Sequence, residues 1–363
     1  MMKKILALLS VFVLVVSCKK ENDNIVWNKS YGAGNAYFVS AASDSGIIAC
    51  GVKSGKPYLL KLSSDKSFEA DYTSEQNGIF TAAWGDTSCF IACGSSNGKL
   101  FITRISPDGN KVWDTTLAAG FTVEVAGLAH TGGGNFLALG SADPDSSDAG
   151  ATGLLFVRFD TSGTVLLKKE ISEEYFISAN NFTLDNSGNI YLAVTRRNPF
   201  AKSRAGVAKY NSDIQKLWET ELYNNPDVTA ACRGVKTGIS DSVYVTGKTQ
   251  VARKEGTLDN SFVASLSKSG TVGRKKFLEN SNAGYGLVFD SSDRILMLNR
   301  NCFFISIIEP LAGYGSERLR MFSECDAYKT DAFGSAIDVF YNGNIIVAGS
   351  LSGNFYVALK AEQ

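Results

Sequence analysis

The chain has 363 residues, 44% of them hydrophobic and 20% charged, with 35 glycines against 6 prolines, a globular composition. Lys+Arg and Asp+Glu both number 36, so no net charge draws the chain to nucleic acid or to an anionic membrane. A single histidine, His130, excludes any metal site built from several imidazoles.

In chain order, MMKKILALLSVFVLVVSC comes first. Lys3 and Lys4 precede the apolar run Ile5 to Val16, which is too short to span a bilayer. This is the pattern of a secretory signal peptide, to be left out of fold reasoning. Its end, Leu14-Val15-Val16-Ser17-Cys18, resembles the lipobox of bacterial lipoproteins. That resemblance implies cleavage before Cys18 and fatty acylation of its thiol and new amine, making Cys18 the lipid attachment. Residues 1–17 are then the signal, 18–23 a lipidated polar tether and 24–363 the folded part. No Asp follows Cys18 directly, so the inner-membrane retention pattern is absent. Lysines followed by Glu21 and Asp23 loosely resemble the surface-export signal of Bacteroidota lipoproteins. The expected location is the outer membrane, on the cell surface or the periplasmic face.

From Asn24 onward, short alternating runs are broken by Gly, Asn, Asp and Ser, with no long stretch at helical spacing: an all-β pattern. A turn followed by an apolar strand recurs as DSGIIACG, TSCFIACG, GGGNFLALG, NSGNIYLAV, SDSVYVTG, SDRILMLN and NGNIIVAG. Turn centres near Gly46, Ser88, Gly134, Gly188, Asp241, Asp293 and Gly343 lie roughly 43–54 residues apart, the spacing of propeller blades. A strand of small residues precedes each turn, suited to the crowded wall of a central channel. A third strand follows, with Lys, Arg or Ser at a repeated place, then a turn and a fourth strand that sometimes carries Trp. The last unit stops after its third strand, and NIVWNKSYG at the start supplies the missing fourth. The spacing predicts an all-β chain folded as a single seven-bladed β-propeller of four-stranded blades, closed by the N-terminal strand.

The repeats resemble those of Bacteroidota β-propeller lipoproteins, with the pattern DGGYIVAGS followed by W-x-K-x-Y-G. NGNIIVAGS (Asn342 to Ser350) and WNKSYG (Trp27 to Gly32) are close matches; DNSGNIYLAV and PDGNKVW are fair ones. A looser likeness is to quinoprotein-like propellers, including outer-membrane assembly lipoproteins. These resemblances imply a binding or assembly module for a protein partner or a glycan, attached to the membrane through its lipid. The module is expected to be monomeric, with no nucleic-acid partner, cofactor, metal or catalytic residues. The alternative is a propeller enzyme acting on glycans, or a quinone-dependent dehydrogenase.

His130 ends an inner strand, where it reads as a solvent-facing turn residue, and no GxSxG elbow accompanies it. Asp185, Asp290 and Asp338 lie near turns and read as turn residues before members of a catalytic carboxylate pair. Asp143, Asp145 and Asp148 crowd one loop, but Pro144 interrupts any calcium spacing and the default is a solvated acidic loop. Cys50 and Cys93 read as core filler, and Cys302 and Cys325 fall near enough in one repeat to pair in an oxidising compartment. Three connections look long: Ser141 to Thr152, Thr195 to Ala205 and Lys248 to Asn260. The second holds Arg196, Arg197, Lys202 and Arg204 around Phe200; the third adds Lys248, Arg253 and Lys254. Guanidinium forks suit carboxylate, sulfate or phosphate, so these are the candidate ligand-binding residues. The competing reading pairs this basic loop with the acidic loop.

Overall fold

The computed structural model describes residues 25–142, 152–173, 176–197, 202–223, 227–238, 242–253, 256–278, 284–299, 305–308, 317–320, 332–340 and 342–361. Among them every regular element is a β-strand, and the strands pair antiparallel throughout. The first are β1 (Ile25–Ala41), β2 (Ile47–Lys53), β3 (Lys56–Leu62) and β4 (Phe68–Thr73). The next sheet holds β5 (Ile79–Gly85), β6 (Phe90–Ser96), β7 (Lys99–Ile105) and β8 (Lys111–Leu117). Another holds β9 (Val123–Gly132), β10 (Asn135–Ala142), β11 (Gly153–Asp160) and β12 (Val165–Ser172). Then come β13 (Phe176–Leu184), β14 (Ile190–Arg197), β15 (Arg204–Tyr210) and β16 (Lys216–Glu221). They are followed by β17 (Val228–Thr237), β18 (Val243–Arg253), β19 (Gly256–Leu266) and β20 (Val272–Leu278). Shorter strands follow: β21 (Gly284–Phe289), β22 (Ile295–Asn299), β23 (Ile305–Ile308) and β24 (Glu317–Arg320). The last are β25 (Ala332–Val339), β26 (Ile345–Leu351) and β27 (Asn354–Lys360).

Each four-stranded sheet is a meander, and the architecture is of the β-propeller type. The 17-residue β1 serves two sheets. Its first half pairs with β27, Trp27 opposite Leu359 and Lys29 opposite Val357. Its second half pairs with β2, Ala36 opposite Gly51 and Ala41 opposite Ile47. Trp27 opposite Leu359 repeats the register of Trp113 opposite Arg104 and Trp218 opposite Lys209.

Second and third strands such as β2, β3, β6 and β7 are buried along nearly their whole length, because neighbouring sheets pack face to face. Ile91 and Ile102 of one sheet, for example, share a cluster with Phe136 and Val157 of the next. Each of these side chains is removed from water, worth roughly 1.5–3 kcal/mol apiece. Cys50 and Cys93 are fully buried in this core, as expected, and burial pushes both thiols above their ordinary pKa.

Polar side chains stitch adjacent sheets. Arg104 Nη1 and Trp113 Nε1 both donate to the carbonyl of Thr161, in the β11–β12 turn of the next sheet, at 3.1 Å each. Lys209 Nζ (3.4 Å) and Trp218 Nε1 (3.0 Å) do the same to Lys268, in the β19–β20 turn. The repeated third-strand cation and the fourth-strand Trp are thus two donors to one carbonyl of the neighbouring turn.

One connection differs from expectation. Lys248 to Asn260 is largely a hairpin extension of β18 and β19, with Lys248 opposite Ser261 and Arg253 opposite Gly256. Likewise β14 runs on through Arg197 and β15 starts at Arg204, so Arg196 and Arg204 face each other across strands.

Candidate functional site

The first strand of each unit carries a one-residue irregularity at one level, visible as a register shift. It falls at Tyr37, Thr81, Asn180, Arg233, Tyr285 and Ser335 against the second strand, and at Ala126 in β9. A bulge puts the extra residue out of the ladder and re-aims its side chain. Tyr37, Thr81, Ala126, Asn180, Arg233 and Ser335 all line one cavity of about 540 Å³. β1, β5, β9, β13, β17, β21 and β25 all contribute to its wall. The bulges therefore form a collar around a central channel.

The collar has a local cause in the second strands. The glycine of the repeated motif, Gly51, Gly94 or Gly247, lies against an inner-strand carbonyl. A Cβ there would collide with the oxygen of Asn35, Ile79 or Ala231 respectively. Only glycine allows that approach. Two collar residues also tie sheets together. Thr81 Oγ1 donates to Val125 O at 3.1 Å, and Asn180 Nδ2 donates to Cys232 O at 2.7 Å.

Charge on the channel wall is sparse. Among the described lining residues the carboxylates are Glu124 and Asp338 and the cations Arg233 and Lys236. Asp338 accepts from Ser40 Oγ (2.7 Å) and Ala41 N (3.0 Å), joining β25 to β1 at the turn end of the inner strands. Asp290 accepts from the amides of Ser292 and Arg294, and Asp185 from those of Ser187 and Asn189, as turn residues do. His130 is exposed at the end of β9 and stacks on Trp84 with centroids 4.7 Å apart. At the opposite mouth a side recess of about 440 Å³ runs from Asn97 and Thr122 to Asn180, and Arg197, Arg233 and Glu124 line it. Tyr37 and Phe333 are respectively 37% and 40% exposed on the channel wall.

The structure separates the residues picked out from the sequence. Arg196 is held by Glu219, with Nη2 2.6 Å from Oε2, and by Glu173 at 3.1 Å. Lys216 binds the same carboxylates, Glu173 at 2.9 Å and Glu219 at 3.1 Å. Hydrogen bonding to Glu219 raises the Arg196 pKa against the effect of burial. Arg204 pairs with Glu221 at 3.2 Å, and Lys202 Nζ donates to the backbone of Asp227 at 2.6 Å. Lys248 is half-buried within β18, and Arg253 ends that strand. Among the described members of the set, Arg197 lines the channel-mouth recess. Cys18, Phe200, Lys254, the acidic residues Asp143, Asp145 and Asp148, and the Cys302–Cys325 pair lie outside the described residues.

Arg233 and the collar had a faint signal in the sequence: two cations, Arg233 and Lys236, inside the inner strand CRGVKTG, and a glycine closing five of the seven second-strand motifs. Among the described residues no group of three or more His, Cys, Asp or Glu is placed to hold a metal ion.

No protein-family model matches the sequence, and no curated protein matches it. Solved structures do resemble it. A streptogramin B lyase superposes with a TM-score of 0.58 at 10% identity, over 92% of this chain and 97% of its own. A protein of unknown function from Dyadobacter fermentans gives 0.55 at 11%, over 92% and 98%. A candidate 6-phosphogluconolactonase from Bacteroides uniformis gives 0.52 at 11%, over 78% and 83%. At such identities the likeness is one of fold.

Proposed function

We propose that the seven units close into one seven-bladed β-propeller, with the first half of β1 as the fourth strand of the last blade. The protein is a binding module, anchored to the outer membrane through acylated Cys18, that takes an acidic glycan at the channel mouth. The observation that carries this reading is the collar. It places one guanidinium, Arg233, among otherwise neutral collar residues, with Arg197 and Glu124 in the adjoining recess and the rings of Tyr37 and Phe333 exposed on the channel wall. Aromatic faces suit sugar rings, and guanidinium forks suit uronate or sulfate groups. An enzyme acting on glycans would need two carboxylates flanking one bond. Here Glu124 and Asp338 lie toward opposite ends of the inner strands, and Asp338 is engaged by Ser40.

The test is calorimetry with uronate and sulfated oligosaccharides against their neutral counterparts. Acidic sugars should bind and neutral ones should not, with affinity falling as salt rises. Arg233→Gln should weaken binding about tenfold, the scale of one charge-assisted contact. Equal binding of neutral sugars, or an unchanged affinity in Arg233→Gln, contradicts the assignment. Release of new reducing ends during incubation would move the reading to the enzyme class.

A further inference from the structure

The outer strands share a second irregularity. In four of them a bulge near the strand's start leaves one residue unopposed: Val26 in β1, Val112 in β8, Leu166 in β12 and Leu217 in β16. All four are apolar and 51–57% exposed; in β4 the equivalent residue is Glu69, paired with Lys61, and the exposed apolar side chain is its neighbour Phe68, at 55%. Single exposed apolar residues need no explanation, but β8, β12 and β16 use one register position in this way on three consecutive sheets, and Val26 holds the same position beside β27. Together they form an arc on the outer rim at the turn end. Ile25 lies at that end too, opposite Lys360, which itself faces Ile345 beside the last β-turn.

We propose that this arc is a membrane-contact surface, so that the turn face lies on the bilayer and the mouth carrying Arg197 and Arg233 points away from it. The inference rests on the lipid anchor proposed above. Seven residues, Cys18 to Asn24, separate the acylated thiol from Ile25. Fully extended, they reach about 25 Å, while a domain of this size has a radius of gyration of about 20 Å. The tether is therefore shorter than the molecule is wide, and the end at which it enters must lie near the lipid.

Reporters are already in place, since Trp27, Trp113 and Trp218 each follow an arc residue directly. The experiment reconstitutes the full acylated protein into phosphatidylethanolamine–phosphatidylglycerol vesicles with or without phosphatidylcholine brominated on its acyl chains. Flotation and tryptophan emission are read together. The protein should float and its emission should be quenched by the brominated lipid. A Val112→Ser/Leu166→Ser/Leu217→Ser variant should still float, with quenching roughly halved. Flotation without quenching overturns the membrane contact and leaves the anchor standing. Failure to float overturns the anchor and this orientation together. Concentration-dependent dimerisation that the triple variant abolishes, without quenching, assigns the arc to a second copy of the chain and equally overturns the proposal.

Discussion

Arg196 and Glu219 show how far a residue's neighbours across a sheet decide its role. A half-buried guanidinium held by two carboxylates ties β14 to β16 across β15, and its removal leaves Lys216 as the cation paired with Glu173 and Glu219 among the described residues. Arg196→Ala should cost about 3 kcal/mol in urea denaturation, the scale for breaking a desolvated pair. Burial alone would raise the Glu219 pKa, but hydrogen bonds and charge from Arg196, then Lys216, outweigh it and lower the value. A carboxylate with a depressed folded pKa contributes stability that is full above its unfolded pKa of about 4.3 and lost as pH falls from there. The advantage of the parent over Glu219→Gln should therefore be present at neutral pH and shrink on acidification, read as the difference between two denaturation series. The sequence showed the cluster of cations at Arg196, Arg197 and Arg204. It did not show the partners, because Glu173 and Glu219 become neighbours only through strand register.

At the scale of elements, the turns and strands were largely legible. Alternation and Gly/Asp/Asn punctuation act locally, and each predicted turn centre with a described structure falls between paired strands. The bulges were not legible, since one extra residue in an inner strand leaves no periodicity to read. Their mark is instead the second-strand glycine. Gly94→Ala would drive a methyl into the Ile79 carbonyl and should cost about 2–3 kcal/mol, an overpacking penalty. The turn glycines have a different partner. Gly163 and Gly270 adopt φ of +88° and +87°, and a Cβ on them would meet Trp113 at 3.0 Å and Trp218 at 2.9 Å. Gly55, at φ +77°, has nothing within 4 Å of such an atom. Gly163→Ala should lower the melting temperature more than Gly55→Ala, where only the backbone cost of about 1–2 kcal/mol applies. Equal losses in the two would mean that the Trp does not pack on the turn.

For the whole molecule, the chain ends carry the account. The pairing of β1 with β27 covers what would otherwise be an open sheet edge, and it brings Trp27 into the register that Trp113 and Trp218 hold elsewhere. On the anchor reading, Cys18→Ala should abolish acyl labelling and release the protein from the membrane fraction while leaving its melting temperature unchanged. The collar has a defined geometry only if the ring is closed, so closure through β1 is the central claim. Hydrogen exchange of the amides between Ile25 and Ser30, followed by mass spectrometry, addresses it most directly. This segment should be protected to the same degree as β27 and lose protection together with it as denaturant is added. Exchange at the rate of a free chain while β27 remains protected would contradict the closed ring, and with it the collar as a binding site.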